Sequence, residues 1–218
     1  VAWNVLNQVP TGDRQIIWAR TLIGIAITPP DLDRVIHLVD NDISVSGLKI
    51  DQEMRWGITT RAIAHGVEGA TERVSLELER DPSDRGERAR IRAEVAEPSE
   101  QVKASAWDRI HGEGYGSLHL TAAAMGGFHW FVQRDLLDQW VWEFFERVPT
   151  IFHERPNEFA RAYFANLFPH HLAEQSVLQR SQTLLAEIKD SLPLLARSLR
   201  EANDDLERAI RCKALAAS

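Results

Sequence analysis

The sequence predicts an all-α fold: an irregular α-superhelix of stacked antiparallel helix pairs of the HEAT or armadillo kind. Apolar residues recur at three- and four-residue steps through most of the 218 residues. Helix-starting and helix-ending residues interrupt that pattern roughly every 10 to 20 residues. The helix pairs are about 40 residues long, a spacing typical of arrays in which each pair buries its apolar face by stacking on its neighbours.

The first half of the chain shows the pattern clearly. Apolar positions between residues 16 and 27 predict a helix that ends before two consecutive prolines, and Pro30 begins a shorter helix. Residues 43–50 alternate briefly, and we interpret them as an extended connection. Asp51 is the expected N-cap of the next helix, and Gly66 is expected to end it.

The second half repeats this pattern. We predict four helices there, in this order: from Asp81–Pro82 to Pro98, from about Ser99 to His111, between Gly126–Gly127 and Pro149, and from Pro156 to just before Pro169. Two long helices with polar outer faces close the chain. The prediction is therefore about ten or eleven helices, within a single domain that spans residues 1–218.

Composition limits the possible partners and the compartment. The formal net charge is −7, and an acidic chain lacks the basic footprint that nucleic-acid binding requires. A single cysteine, Cys212, fits a reducing compartment, and no apolar run is long enough to cross a membrane. We therefore expect a cytoplasmic protein without nucleic-acid or membrane partners. The start at Val1 without a methionine indicates a segment of a longer polypeptide.

The residues offer no credible catalytic or metal site. His153-Glu154 begins like the H-E-x-x-H zinc motif, but the second histidine is missing and Pro156 favours a helix start there. His170 and His171 are adjacent, so a helix would point them about 100° apart, and we interpret them as a solvated turn. The glycine-rich stretch at residues 112–117 lacks a phosphate-loop spacing and is interpreted as a turn between helices.

An aromatic-dense segment follows at residues 128–148. Most of its aromatic side chains lie at helical spacing and are expected in the core. Trp130 and Trp142 fall beside that stripe. They are the candidates for lining a substrate groove, although core packing explains them as well.

Four phrases resemble the C-terminal helical domain of an actinobacterial-type aminopeptidase N, a zinc metallopeptidase of the gluzincin type. They run in the family's order: Leu48 to Trp56, similar to G-L-x-(I/V)-D-x-(D/E)-(L/M)-R-W; Glu94 to Pro98 with Lys103 and Ala106–Trp107; Gly127–Phe128, Leu136–Leu137, Phe144–Phe145 and Leu167–Pro169; and Arg200 to Arg211. The resemblance spans nearly the whole chain.

The resemblance implies a non-catalytic domain that closes over a catalytic domain and shapes the substrate chamber. The parent protein would remove N-terminal amino acids from peptides, and its zinc would lie in the catalytic domain. Its partners would be the catalytic domain of the same polypeptide and peptide substrates. No catalytic or metal residue can be carried over, because the family's zinc and substrate-binding motifs are absent from these 218 residues. The alternative is a free-standing HEAT-like adaptor that binds a protein.

Overall fold

The structure is a computed structural model, and it describes residues 1–40, 42–188 and 191–216. These residues form twelve α-helices and one short 3-10 turn, and they contain no β-strand, so the fold is all-α. The helices are α1 (Ala2–Gln8), α2 (Asp13–Ile25), α3 (Pro29–Asp40), α4 (Gln52–Ala64), α5 (Glu72–Arg80), α6 (Asp84–Val95), α7 (Glu100–His111), α8 (Leu118–Phe128), α9 (Arg134–Glu154), α10 (Asn157–Leu167), α11 (Gln175–Ile188) and α12 (Pro193–Ala216). The 3-10 turn spans Phe131–Gln133.

The chain packs as two compact units, residues 1–104 and 105–218, and the boundary falls within α7. The prediction of a single domain and the prediction of a superhelix both stay predictions. Unit 1 has two hydrophobic clusters. One joins α1 to α4, and the other surrounds Trp56 with side chains of α4, α5 and α6.

Unit 2 has an aromatic core. Helices α8, α9 and α10 supply Phe128, Phe144 and Tyr163, which are almost completely buried. The rings of Phe144 and Tyr163 stack with centroids 5.6 Å apart, and Phe144 meets Phe168 edge-to-face at 5.8 Å. Such contacts add to the free energy gained from burying apolar area. The aromatic stripe predicted from spacing is therefore a core, as expected.

Several predicted helix ends are confirmed. The Oδ1 atom of Asp51 accepts a hydrogen bond of 2.8 Å from the backbone N–H of Met54, which makes Asp51 the N-cap of α4. Gly66 follows α4 with a φ of +67°, a conformation that glycine adopts without steric cost. Residues 42–50 form neither helix nor strand and include bends at 42–43 and a turn at 46–47.

The predicted boundary at Gly126–Gly127 and Pro149 is wrong. The two glycines lie in the last turns of α8, and Pro149 lies inside α9. A proline inside a helix costs about 3 kcal/mol. Helix α9 continues through it because Val148 and Ile151, on either side of Pro149, are both buried, and their burial offsets that cost.

The predicted start at Asp81–Pro82 is displaced by two residues. Ser83 is the N-cap of α6 and accepts a hydrogen bond from the backbone N–H of Gly86. Asp81 instead ends α5, and its buried carboxylate accepts a hydrogen bond from the Ser83 hydroxyl. Gly86 is required here, because a Cβ atom on it would lie 1.9 Å from the carbonyl oxygen of Asp81.

Candidate functional site

The two tryptophans that the sequence proposes as groove residues occupy different environments. Trp130 is half-buried, and its indole N–H donates a hydrogen bond of 3.1 Å to the carbonyl oxygen of Gly127 near the end of α8. Trp142 is 48% exposed on α9, with its ring 6.4 Å from that of Phe145. Trp130 therefore supports the end of a helix, whereas Trp142 presents an aromatic surface to solvent. Their assignment to a substrate groove stays a prediction.

A histidine pair links the end of α8 to the turn after α10. The Nδ1 atoms of His129 and His171 lie 2.9 Å apart, so one ring donates a hydrogen bond that the other accepts. The turn expected after Pro169 is confirmed, with His170 exposed, but His171 is half-buried rather than solvated. Burial lowers the pKa of His171 to about 4, and the charges of Arg134 and His170 act in the same direction. His171 is therefore neutral at pH 7.

A further histidine, His111, lies among aromatic side chains of unit 2. The Nδ1 atom of His111 lies 2.7 Å from the carbonyl oxygen of Trp107, and its Nε2 atom lies 3.0 Å from the hydroxyl oxygen of Tyr163. Burial lowers the pKa of His111 and raises that of Tyr163, so both groups are neutral at pH 7. A neutral ring that donates a hydrogen bond from Nδ1 to the Trp107 carbonyl accepts one at Nε2 from the Tyr163 hydroxyl. Both ring nitrogens of His111 are engaged in these two hydrogen bonds, and the bond to Tyr163 connects α7 to α10.

Trp107, on α7, contacts side chains of α8 and α9 in the same part of unit 2. Its indole N–H donates a hydrogen bond of 2.9 Å to the carboxylate of Glu143 on α9. Its ring packs 5.4 Å from that of Phe128. The tryptophan of the Ala106–Trp107 phrase therefore has a structural role that joins α7, α8 and α9.

Unit 1 holds a buried polar cluster at the Arg55–Trp56 phrase. The Trp56 indole N–H donates to the carboxylate of Asp81 at 3.2 Å. The Glu77 carboxylate, whose side chain is only 3% exposed, receives a hydrogen bond of 2.6 Å from Arg80 and lies 3.4 Å from the Arg55 guanidinium. Each acidic group thus meets a donor or a cation from a neighbouring segment. The arrangement is what a structural joint between α4 and α5 requires.

The residues tested for zinc binding are not brought together. His153 and Glu154 are exposed at the end of α9, and Pro156 caps α10. Across residues 1–40, 42–188 and 191–216, no three His, Cys, Asp or Glu side chains form a group that could hold a metal ion. A catalytic zinc site needs three protein ligands, and the absence of such a site from this chain stays a prediction.

An open groove lies between the start of α3 and the end of α4. It encloses about 650 Å³ and is lined by Pro29, Pro30, Leu32, Asp33, Ile36, His65, Gly66 and Val67. Its walls are mainly apolar, and Asp33 is its acidic residue. The sequence does not predict this groove, because its lining comes from two segments about 30 residues apart, and no local pattern indicates that they lie together.

Among the described helices, none is both long enough and apolar enough to cross a bilayer.

Comparison with known proteins identifies the family. Residues 8–208 match the model of the ERAP1-like C-terminal domain. The chain is also similar to Aminopeptidase N of Streptomyces lividans, with 32% identity over 202 residues. That alignment covers 93% of this chain but 23% of the relative, so the chain spans about a quarter of the relative's length. The match covers nearly all of the chain, and the chain therefore belongs to the ERAP1-like C-terminal domain family.

Proposed function

We propose that this chain is the non-catalytic C-terminal domain of a zinc aminopeptidase, an enzyme that removes N-terminal amino acids from peptides. The observation that carries the proposal is the family match over residues 8–208. The similarity to an Aminopeptidase N supports the parent activity. The zinc ion would belong to the catalytic part of the polypeptide, and a cytoplasmic location remains part of the proposal.

In this role the domain closes over the catalytic domain and shapes the chamber that peptides enter. Helical arrays suit such a task because neighbouring helices form extended surfaces of fixed curvature. The partners are then the catalytic domain and the peptide substrate. The non-catalytic part of this role is supported by contacts within each unit: the Trp56 and Trp107 indoles donate hydrogen bonds to carboxylates, and His111 and His129 pair with Tyr163 and His171.

Zinc analysis and an activity assay of the isolated chain test the non-catalytic part of the proposal. After dialysis it should retain well under one zinc ion per molecule, since a two-residue H-E sequence cannot supply the three ligands of a catalytic site. With zinc added it should not hydrolyse an alanine anilide. The variant His153→Gln is the matched control, and its zinc content should equal that of the wild type. Stoichiometric zinc together with chelator-sensitive turnover would overturn the proposal.

A further inference from the structure

The connection between α10 and α11, residues 168–174, is linked to the end of α8 by two histidines. The Nδ1 atom of His171, in the connection, lies 2.9 Å from the Nδ1 atom of His129, the residue that follows α8. The centroids of the two rings are 4.5 Å apart. We call this contact the histidine pair. It joins two segments that are 42 residues apart in sequence.

The surroundings of His171 indicate which ring donates the hydrogen bond. The Nε2 atom of His171 is buried, and no group of the described residues forms a hydrogen bond with it. If His171 accepted at Nδ1, its proton would lie on Nε2, and a buried N–H would then lack an acceptor. If His171 donates from Nδ1, Nε2 carries only a lone pair. Folded proteins leave buried acceptors unsatisfied more often than buried N–H donors, so His171 is the donor and His129 the acceptor.

This arrangement resists the addition of a proton at either ring. A proton added to His129 binds Nδ1, the nitrogen that accepts the hydrogen bond, and two N–H groups would then face each other across 2.9 Å. A proton added to His171 binds Nε2, where a buried cation would have no acceptor among the described residues. Proton uptake by either ring therefore favours separation of the two rings and their exposure to water.

The charged groups around the pair act in the same direction. Burial lowers the pKa of His171, and the charges of Arg134, the first residue of α9, and of His170 lower it further. The carboxylate of Glu174 is paired with Arg134. Burial also lowers the pKa of His170, and Asp205 of α12 opposes that effect. A positive charge on the histidine pair would thus lie near a guanidinium and a third histidine.

We propose that the histidine pair is an acid-sensitive latch, which holds the 168–174 connection against the end of α8 while both rings are neutral and releases it when the pair takes up a proton. The inference goes beyond the proposed function and does not depend on it, because it concerns contacts within unit 2 alone.

The release is local to the part of the connection that follows Phe168. That ring is 2% exposed and remains in the aromatic core of unit 2. The ion pair of Glu174 with Arg134 is partly exposed, and such pairs contribute little to stability. Leu172, which is 4% exposed in the closed form, becomes accessible to water when residues 170–174 open.

The tautomers are tested first, by nitrogen-15 NMR of the histidine rings in the 218-residue chain at pH 7. We expect the proton of His171 on Nδ1 and that of His129 on Nε2. A scalar coupling between the two Nδ1 nuclei should report the hydrogen bond between them. Protons on the Nε2 atoms of both rings, or the absence of that coupling, would overturn the inference.

Hydrogen exchange then measures the release. The exchange rates of the amides of residues 170–174 are divided by their intrinsic rates at the same pH, from pH 7 to pH 4.5. The released His171 ring binds a proton at its ordinary pKa of 6.5, whereas the latched ring does so at about 4. The open form therefore gains population as the pH falls through this interval, and protection of residues 170–174 should decrease about tenfold or more. The amides of α10 should keep their protection.

Two variants separate the latch from general acid unfolding. His171→Phe keeps a ring of similar size that neither donates a hydrogen bond nor binds a proton, so residues 170–174 should have low protection at both pH values. His119→Gln is the matched control, because His119 is exposed in the first turn of α8, and it should behave like the wild type. Constant protection of residues 170–174 in the wild type would overturn the inference. A parallel loss of protection in α10 would overturn it as well, since that result indicates global unfolding.

Discussion

The side-chain nitrogen of Lys103 lies 2.7 Å from the carbonyl oxygen of Val95, and the Lys103 residue has no exposed surface. Val95 is the last residue of α6, so a lysine of α7 binds one of the carbonyl groups that a helix end leaves without an intrahelical partner. Burial lowers the pKa of Lys103 to about 7, against an opposing effect of Glu97. Within the Glu94–Trp107 phrase, this lysine joins two consecutive helices.

The first prediction follows from the pKa of Lys103. An unfolded chain binds the lysine proton up to about pH 10.5, whereas the folded chain releases it near pH 7. The free energy of unfolding should therefore rise between pH 7 and pH 9, by at most about 1.4 kcal/mol per pH unit. Lys103→Met, of similar volume, should lack this rise. Urea denaturation across this range measures it, and parallel pH profiles of the two proteins would contradict the prediction.

The second prediction concerns Trp56. This side chain is 5% exposed within the second hydrophobic cluster of unit 1. Trp56→Ala should lower the free energy of unfolding by about 3 to 5 kcal/mol, equivalent to a decrease in Tm of about 10 °C. Trp56→Phe keeps most of the packing and loses the hydrogen bond to Asp81, so it should cost about 1 to 2 kcal/mol. An unchanged Tm for Trp56→Ala would show that this residue does not stabilise the joint.

The third prediction concerns the close contact at Gly86. A Cβ atom there would lie 1.9 Å from the Asp81 carbonyl oxygen and 2.8 Å from its Cγ atom. Gly86→Ala should therefore destabilise the chain by about 1 to 3 kcal/mol, because backbone must move. Gly24→Ala is the matched control and should stabilise the isolated chain by up to about 1 kcal/mol. Thermal unfolding of both variants measures the contrast, and equal shifts would contradict this packing.

The fourth prediction concerns the His129–His171 pair. The pKa of His171 is about 4 in the folded chain and 6.5 in its ordinary state, so the unfolded chain binds more protons between these values. Stability should then be lost as the pH falls from about 6.5 to 4. The slope is at most about 1.4 kcal/mol per pH unit, and partial exposure of the ring reduces it.

An NMR titration of the His171 ring measures this pKa directly. His153 is exposed in the last turn of α9, so His153→Gln should leave the pH dependence of stability unchanged. His171→Gln should make that dependence weaker. A His171 ring that titrates near 6.5 would show that the pair is not buried as described.

The sequence was sufficient to predict the fold class and many helix ends, because those depend on local chemistry. Asp51 and Gly66 act through hydrogen bonds and backbone conformations that lie within four residues of each. The helix end predicted at Pro149 is wrong for the opposite reason. Its helix continues because of buried contacts on either side, and the strength of those contacts depends on the tertiary structure.

The candidate sites were harder to predict. His129 and His171 are 42 residues apart in sequence, and His111 and Tyr163 are 52 residues apart. No periodicity relates such positions. The exposed side of the 16–27 segment is another such case, because Ile17 and Ile27 lie at helical spacing, which predicts burial, yet the structure leaves both exposed. The buried side of a helix is distinguished from its exposed side only once the rest of the unit is folded.

The most direct test of the central claim compares the full-length gene product with a version that lacks these 218 residues. Hydrolysis of an alanine anilide and of a longer peptide with N-terminal alanine is measured for both, together with zinc content. We expect both versions to retain zinc. Removing the domain should change the ratio of kcat/KM values for the two substrates, because the chamber that selects peptides is then open. An unchanged ratio, or loss of zinc from an otherwise folded truncated protein, would contradict it.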